Sequence, residues 1–170
     1  HPIAPMRWVL GHQRFLSCDQ IARIKDLGIV LTTHTNRHIY KDGDRMMREG
    51  IHDMNELVPF RSLIESGVPV AFGSDNLPPS LFHPMWHATA RKTRSGLVVG
   101  ESQAIDRGQA LKIAAQGGAY LCFDEQKRGR LLPGFLADMV KLSADPLSCA
   151  EEALPHIQAA SVMVNGRFVL

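Results

Sequence analysis

Apolar and polar positions alternate along the first half of the chain in a strand, helix, strand order. Arg7-Trp8-Val9-Leu10-Gly11 is short, apolar and ends on glycine, the pattern of a buried strand, with His12 directly after it. Ser17 stands three residues before Gln20, the spacing of a capping box, and the helix it opens carries Ile21, Ile24 and Leu27 on one face before Gly28 stops it. Ile29-Val30-Leu31-Thr32-Thr33 is β-branched and apolar enough for a second buried strand, and the polar, histidine-rich stretch from Thr33 to Tyr40 follows at once. Residues 41–58 are charged and glycine-interrupted, with a short helix expected over Asp44 to Arg48, in a connection long enough to carry function. Pro59 suits the first turn of a helix whose apolar face is Phe60, Leu63 and Ile64 and whose end is Gly67.

Val68-Pro69-Val70-Ala71-Phe72 is the third strand, with Pro69 tolerable only at its start, and it runs into Gly73-Ser74-Asp75-Asn76. Helical spacing returns over Met85 to Thr93 and Asp106 to Phe123, the latter capped by Asp106 with Gln109 three residues on. Leu136 to Leu142 and Ser161 to Leu170 are short strand candidates, and Asn165-Gly166 marks a hairpin between Val162-Met163-Val164 and Arg167-Phe168-Val169.

Charge narrows the function classes. The 170 residues hold 19 Lys+Arg against 17 Asp+Glu, a formal charge of +2 that gives no electrostatic case for nucleic acid or an anionic membrane. Lys127-Arg128 is only a short basic cluster, and Lys25, Arg45, Arg48, Arg91, Lys92 and Arg94 fit helix surfaces. Apolar runs such as Val68 to Phe72 fall far short of the roughly 20 residues of a membrane span. Cys18, Cys122 and Cys149 are an odd, unpaired set that suits a reducing compartment, so a cytoplasmic location is expected. His1-Pro2-Ile3-Ala4-Pro5 has neither an initiator methionine nor a signal-peptide layout and reads as the cut edge of something longer.

Strand-helix alternation implies a parallel sheet, where reactive residues gather at the C-terminal strand ends. Those ends carry His12, then His34 and His38, then Asp75, and imidazole with carboxylate is the donor set of Zn²⁺ or a similar divalent ion, iron and manganese being the alternatives. Taken singly, each histidine also fits a structural or surface role and Asp75 a turn cap. Met46, Met47 and Met54 are read as core, while Trp86 and His87 fit either a substrate-facing rim or a packed helix start.

Several segments taken together carry a family resemblance: Arg7 to Gln13, Ile21-Ala22-Arg23, Leu27-Gly28-Ile29, and Phe60 through Asp75. The tail agrees, with Gly118-Ala119-Tyr120, the run Gly129-Arg130-Leu131-Leu132-Pro133-Gly134-Phe135-Leu136-Ala137-Asp138-Met139-Val140, and Val164-Asn165-Gly166-Arg167. This resembles the C-terminal part of the amidohydrolase superfamily, in the branch of proteins similar to N-substituted formamide deformylase. The resemblance implies an α/β fold: about the last three strands of a (β/α)8 metal-dependent hydrolase barrel over residues 1–124, then short strands of the appended β-sandwich over 125–170. It also implies that His12 is the metal-ligand histidine of the sixth barrel strand and Asp75 the metal-binding, proton-shuttling aspartate of the eighth. His34, His38 and Asn76 are then candidates for substrate contact, and the substrate is a small molecule with an amide, formamide or related non-peptide C–N bond.

Two departures are Gly11, where a Glu commonly precedes the histidine, and Ala115, where a Thr commonly precedes Gly-Ala-Tyr. The ligands of the first, fourth and fifth barrel strands have no counterpart. His12 and Asp75 should therefore hold zinc weakly on their own, because a catalytic zinc takes three protein ligands, and the isolated chain should be inactive. A complete barrel takes about 250 residues. Three of its strands leave sheet edges open, which favours homo-oligomers. The alternative reading is a non-catalytic interaction or regulatory module that retains part of this fold.

Overall fold

A computed structural model describes residues 2–50, 52–75 and 79–170. Three parallel strands, β1 (Val9–Gln13), β2 (Val30–Thr33) and β3 (Val70–Phe72), lie side by side in chain order. β2 is central, with Val30 and Leu31 buried. Helix α1 (Cys18–Leu27) joins β1 to β2, and its start is the expected capping box, Ser17 accepting from the Gln20 amide while the Gln20 side chain accepts from the Ser17 amide. Gly28 closes it at φ +66°, where an added Cβ would strike Ala4 at 2.5 Å. The excursion after β2 opens with a π-helical turn (Asn36–Lys41) and continues as α2 (Gly43–Glu49), and α3 (Phe60–Glu65) leads into β3. Ile21 and Ile24 of α1, Phe60 and Leu63 of α3, and Leu31 and Val70 of the sheet share one core.

β1 differs from the buried strand its apolar run suggests. Trp8, Val9 and Leu10 are 55%, 48% and 39% exposed, because among the described residues β2 is its sole strand neighbour. The strand also extends beyond Gly11 and takes in His12. Arg7, at its head, lies over the Tyr120 ring at 3.8 Å and pairs with Glu125, and that hydrogen-bonded guanidinium holds the Glu125 carboxyl down to about 2.

Helix α4 (Phe82–Ala90) packs on the turn Glu151–His156, which brings Leu154 and Ile157 into the same core. Arg91, expected on a helix surface, is instead fully buried at the α4 C-cap, turned inward onto main-chain carbonyls. Met46 is core as expected and Met54 packs against it, but Met47 is exposed because it occupies the outer face of α2.

The helix expected over Asp106 to Phe123 is interrupted. It starts with the expected capping box on Asp106, runs as α5 (Arg107–Lys112), widens to a π-turn over Ile113–Gly117 and resumes as α6 (Gly118–Leu121). Gly117 there lies against β3, so that an added Cβ would be 2.6 Å from the Val70 carbonyl oxygen and 2.8 Å from Ala71 Cα. Helix propensity alone favours Gly117→Ala by up to about 1 kcal/mol, whereas forcing backbone apart in a packed site costs about 1–3 kcal/mol. Sterics should win, and urea unfolding of Gly117→Ala is expected to show a lowered midpoint; a raised one would mean that the π-turn yields freely.

Residues beyond the helices form a separate antiparallel sheet of β4 (Met139–Leu142), β5 (Ala159–Val164) and β6 (Arg167–Phe168). Its hairpin is the Asn165-Gly166 turn, both residues at positive φ (49° and 75°) as a two-residue type I′ connection requires.

Candidate functional site

Three strand ends converge. The β1–β2 register breaks between Leu10 and Gln13, and within that bulge His12 adopts φ +60°. β2 ends at Thr33 and delivers His34. β3 exits through Gly73, whose amide donates to the Thr33 carbonyl at 3.1 Å, and an added Cβ at Gly73 would be 2.8 Å from that same oxygen. Glycine thus lets the third strand end pass close over the second, which sets Asp75 beside His34. Asp75 is itself at φ +57°. Two non-glycine residues in the left-handed region, each costing about 1–3 kcal/mol, at neighbouring strand ends are the form in which strain collects at functional sites.

His34 Nε2 is hydrogen-bonded to Asp75 Oδ2. Burial, the largest influence, together with the nearby His12, moves the His34 pKa below its ordinary value despite the Asp75 carboxylate, which favours the neutral imidazole donating its Nε2–H to Asp75 Oδ2. The His12 and His34 rings lie 4.9 Å apart and tilted, and the His34 and His38 rings 5.6 Å apart and nearly edge-on. His38 Nε2 lies 3.2 Å from the His12 carbonyl oxygen. The residues expected at the rim therefore meet there, with the exception of Asn76, which lies outside the described residues. His34 and His38, anticipated as substrate contacts, each spend Nε2 on a protein partner.

These donors have the chemistry of a divalent-metal site, imidazole and carboxylate. Their number falls short: among the described residues no group of three or more His, Cys, Asp or Glu side chains is arranged to hold a metal ion, and the Asp75 carboxylate is engaged by His34. A complete catalytic zinc site is not formed by this set alone.

Behind the rim lies a buried polar layer that spacing did not reveal. His87 of α4, 1% exposed, sits with Nδ1 3.1 Å from Thr35 Oγ1, flanked by the Tyr40 ring at 5.3 Å and the Trp86 ring at 5.2 Å. It is therefore a core residue. Burial, helped by His83, lowers its pKa from 6.5 to about 3. Between those values the unfolded chain binds more protons than the folded one, so stability is full above about pH 6.5 and falls as the pH drops toward 3. The slope is up to about 1.4 kcal/mol per pH unit, or about 2.7 kcal/mol at pH 4.5. Urea midpoints measured across this range should fall accordingly, and His87→Asn should flatten the fall; an equally steep profile in the variant would assign the acid sensitivity to other groups.

Comparison with known proteins finds relatives of this chain. The pattern of the Amidohydrolase family matches residues 3–170. The chain is 28% identical over 161 residues to the N-substituted formamide deformylase of Arthrobacter pascens, covering 92% of this chain and 30% of that protein. It is 28% identical over 128 residues to the putative amidohydrolase YtcJ of Bacillus subtilis strain 168, covering 72% of this chain and 24% of that one. It thus spans less than a third of either relative. Among solved structures, a metal-dependent hydrolase from Pyrococcus horikoshii OT3 superposes with a TM-score of 0.70 at 24% identity, over 85% of this chain and 30% of that one. A zinc-bound adenosine deaminase from Xanthomonas campestris superposes with 0.63 at 19% identity, over 95% and 36%. At these identities the structures speak for the fold.

Proposed function

The chain belongs to the Amidohydrolase family, and from that membership we propose that it supplies one side of the active site of a metal-dependent hydrolase acting on non-peptide C–N bonds of the amide or formamide class. The observation that carries the reading is the His34–Asp75 hydrogen bond beside the His12 ring, at the C-terminal ends of adjacent parallel strands. In this reading residues 1–124 belong to a (β/α)8 barrel and 125–170 to its small β domain. His12 and Asp75 are two ligands of a divalent ion, zinc by preference, and ligands outside these 170 residues complete the set. The exposed edge of β1 is where further strands complete the sheet.

Bound metal supplies Lewis acidity to the scissile carbonyl and lowers the pKa of water. The residues of this chain handle the proton. Asp75 accepts it from the attacking water and returns it to the leaving nitrogen as the C–N bond breaks, so that a formamide and water become formic acid and an amine, the acid then ionising to formate in solution. His34 holds Asp75 Oδ2 by its N–H and fixes the carboxylate's direction throughout. A neutral His34 serves this better than a charged one, which would oppose protonation of its partner.

The test is formate release from N-substituted formamides with added Zn²⁺, for this chain within the longer polypeptide the reading calls for and for the 170 residues alone. Turnover by the first and none by the second is expected. Turnover by neither on any formamide or related amide would overturn the substrate class.

A further inference from the structure

We propose that His38 is a positioning residue: its Nε2–H holds the His12 carbonyl oxygen and thereby fixes the bulge of β1 that turns the His12 imidazole toward His34 and Asp75. The proposal rests on the reading of His12 as a metal ligand. Where the β1–β2 register breaks between Leu10 and Gln13, the intervening main-chain groups lose their regular ladder partners and need others. Two side chains step in: Gln13 Nε2 donates to the Gly11 carbonyl at 3.3 Å, and His38 reaches the His12 carbonyl at 3.2 Å. The first is local and exposed, two residues along the same strand. The second spans 26 residues and ties the bulge to the π-turn Asn36–Lys41 that follows β2.

The tautomer of His38 follows from its partners. A carbonyl only accepts, so Nε2 carries the hydrogen. His38 Nδ1 is buried and has no hydrogen-bond partner among the described residues, so the Nε2 contact is the one that directs the ring there. The winding of residues 36–41 as a π-turn rather than an α-turn sets where His38 projects, and such turns recur at functional sites. His12 pays for its left-handed φ of +60° only if something over-determines it, and the His38 contact is the long-range restraint that does so.

The experiment uses the isotope-labelled 170-residue chain. Nitrogen-edited spectra of the His38 ring should show the Nε2–H tautomer; the Nδ1–H tautomer would overturn the proposal without any variant. His38→Phe keeps a ring but no donor, and His38→Gln places an amide N–H where Nε2 stood. The Phe variant should shift the backbone and ring signals of His12 and weaken zinc binding, measured by competition with a chromophoric chelator, by about tenfold or more, and the Gln variant should restore most of both. A His38 that merely packs would lower the melting temperature in both variants and leave His12 signals and zinc affinity in place, which would overturn the proposal. The two readings fail separately: wild-type chain whose His12 signals ignore zinc contradicts the metal assignment, whereas His12 signals unmoved by His38→Phe contradict the positioning role.

Discussion

Replacing Arg91 by methionine is expected to remove about 3–5 kcal/mol of folding stability, a large part of what a domain of this size holds. The fully buried guanidinium donates through Nε to the Val99 carbonyl at 2.9 Å, through Nη1 to Val58 at 2.9 Å and through Nη2 to Leu57 at 2.7 Å. Burial lowers its pKa to about 10, so it remains a cation at neutral pH. It also stands at the C-cap of α4, where a positive charge meets the negative end of the helix dipole. Methionine fills much of the volume but takes a donor from three carbonyls: those of Leu57 and Val99 lose the guanidinium partner, at about 1–3 kcal/mol each when buried and unpaired, while that of Val58 keeps the Phe60 amide at 2.9 Å. One of them belongs to Val58, a β-branched residue held at φ +41°, so the turn that Arg91 secures is strained as well. Lysine keeps the charge without the planar fork and should recover only part of the loss. Urea unfolding should show a lowered midpoint at an unchanged slope; a loss under about 1 kcal/mol would mean that water or a shifted backbone satisfies the carbonyls in place of Arg91.

On the proposed function, the second large effect falls on catalysis. Asp75→Asn, in the complete enzyme, is expected to lower kcat by about a thousandfold or more, because asparagine can neither accept the proton of the attacking water nor return it to the leaving nitrogen. The substitution is nearly isosteric and keeps an oxygen within reach of the His34 N–H, so stability should move little. At saturating Zn²⁺, KM should move less than kcat, since the proton transfer that is lost belongs to the transition state. Formate release at saturating substrate measures it directly. Activity within about tenfold of the wild type would remove Asp75 from the proton path and leave the rim without its central carboxylate.

Much of the scaffold was legible because its signals are local. Both capping boxes, the Gly28 stop and the Asn165-Gly166 hairpin depend on a few adjacent residues, and each forms as read. The arrival of His12, His34, His38 and Asp75 at one rim was legible too, because parallel strands put their C-terminal ends on one edge. What escaped needs long-range information. The bulge at His12 exists only relative to β2, and the apolar run of β1 says nothing of whether a strand covers its outer side. The π-turn before Gly118 answers the close approach of Gly117 to β3, which no helical periodicity encodes. The sequence places Arg91 on a surface because arginine is usually exposed, and the three inward carbonyls explain its burial. The His34–Asp75 bond joins residues 41 positions apart through the passage of Gly73 over Thr33. Of these, Gly73 alone left a trace in the sequence, as the glycine between an apolar strand and an acidic turn.

The central claim is that His12 and Asp75 are metal ligands held together by this fold. It is tested most directly by titrating Zn²⁺ into the 170-residue chain and following its histidine ring signals, beside His12→Ala, Asp75→Asn and His52→Ala. His52 stacks on Phe15 at 4.3 Å and serves as the control. Zinc is expected to perturb His12 and His34 with an affinity weaker than a three-ligand site, to lose that effect in the first two variants and to keep it in the third. Zinc that leaves His12 undisturbed, or binds equally well without His12 and Asp75, would contradict the account.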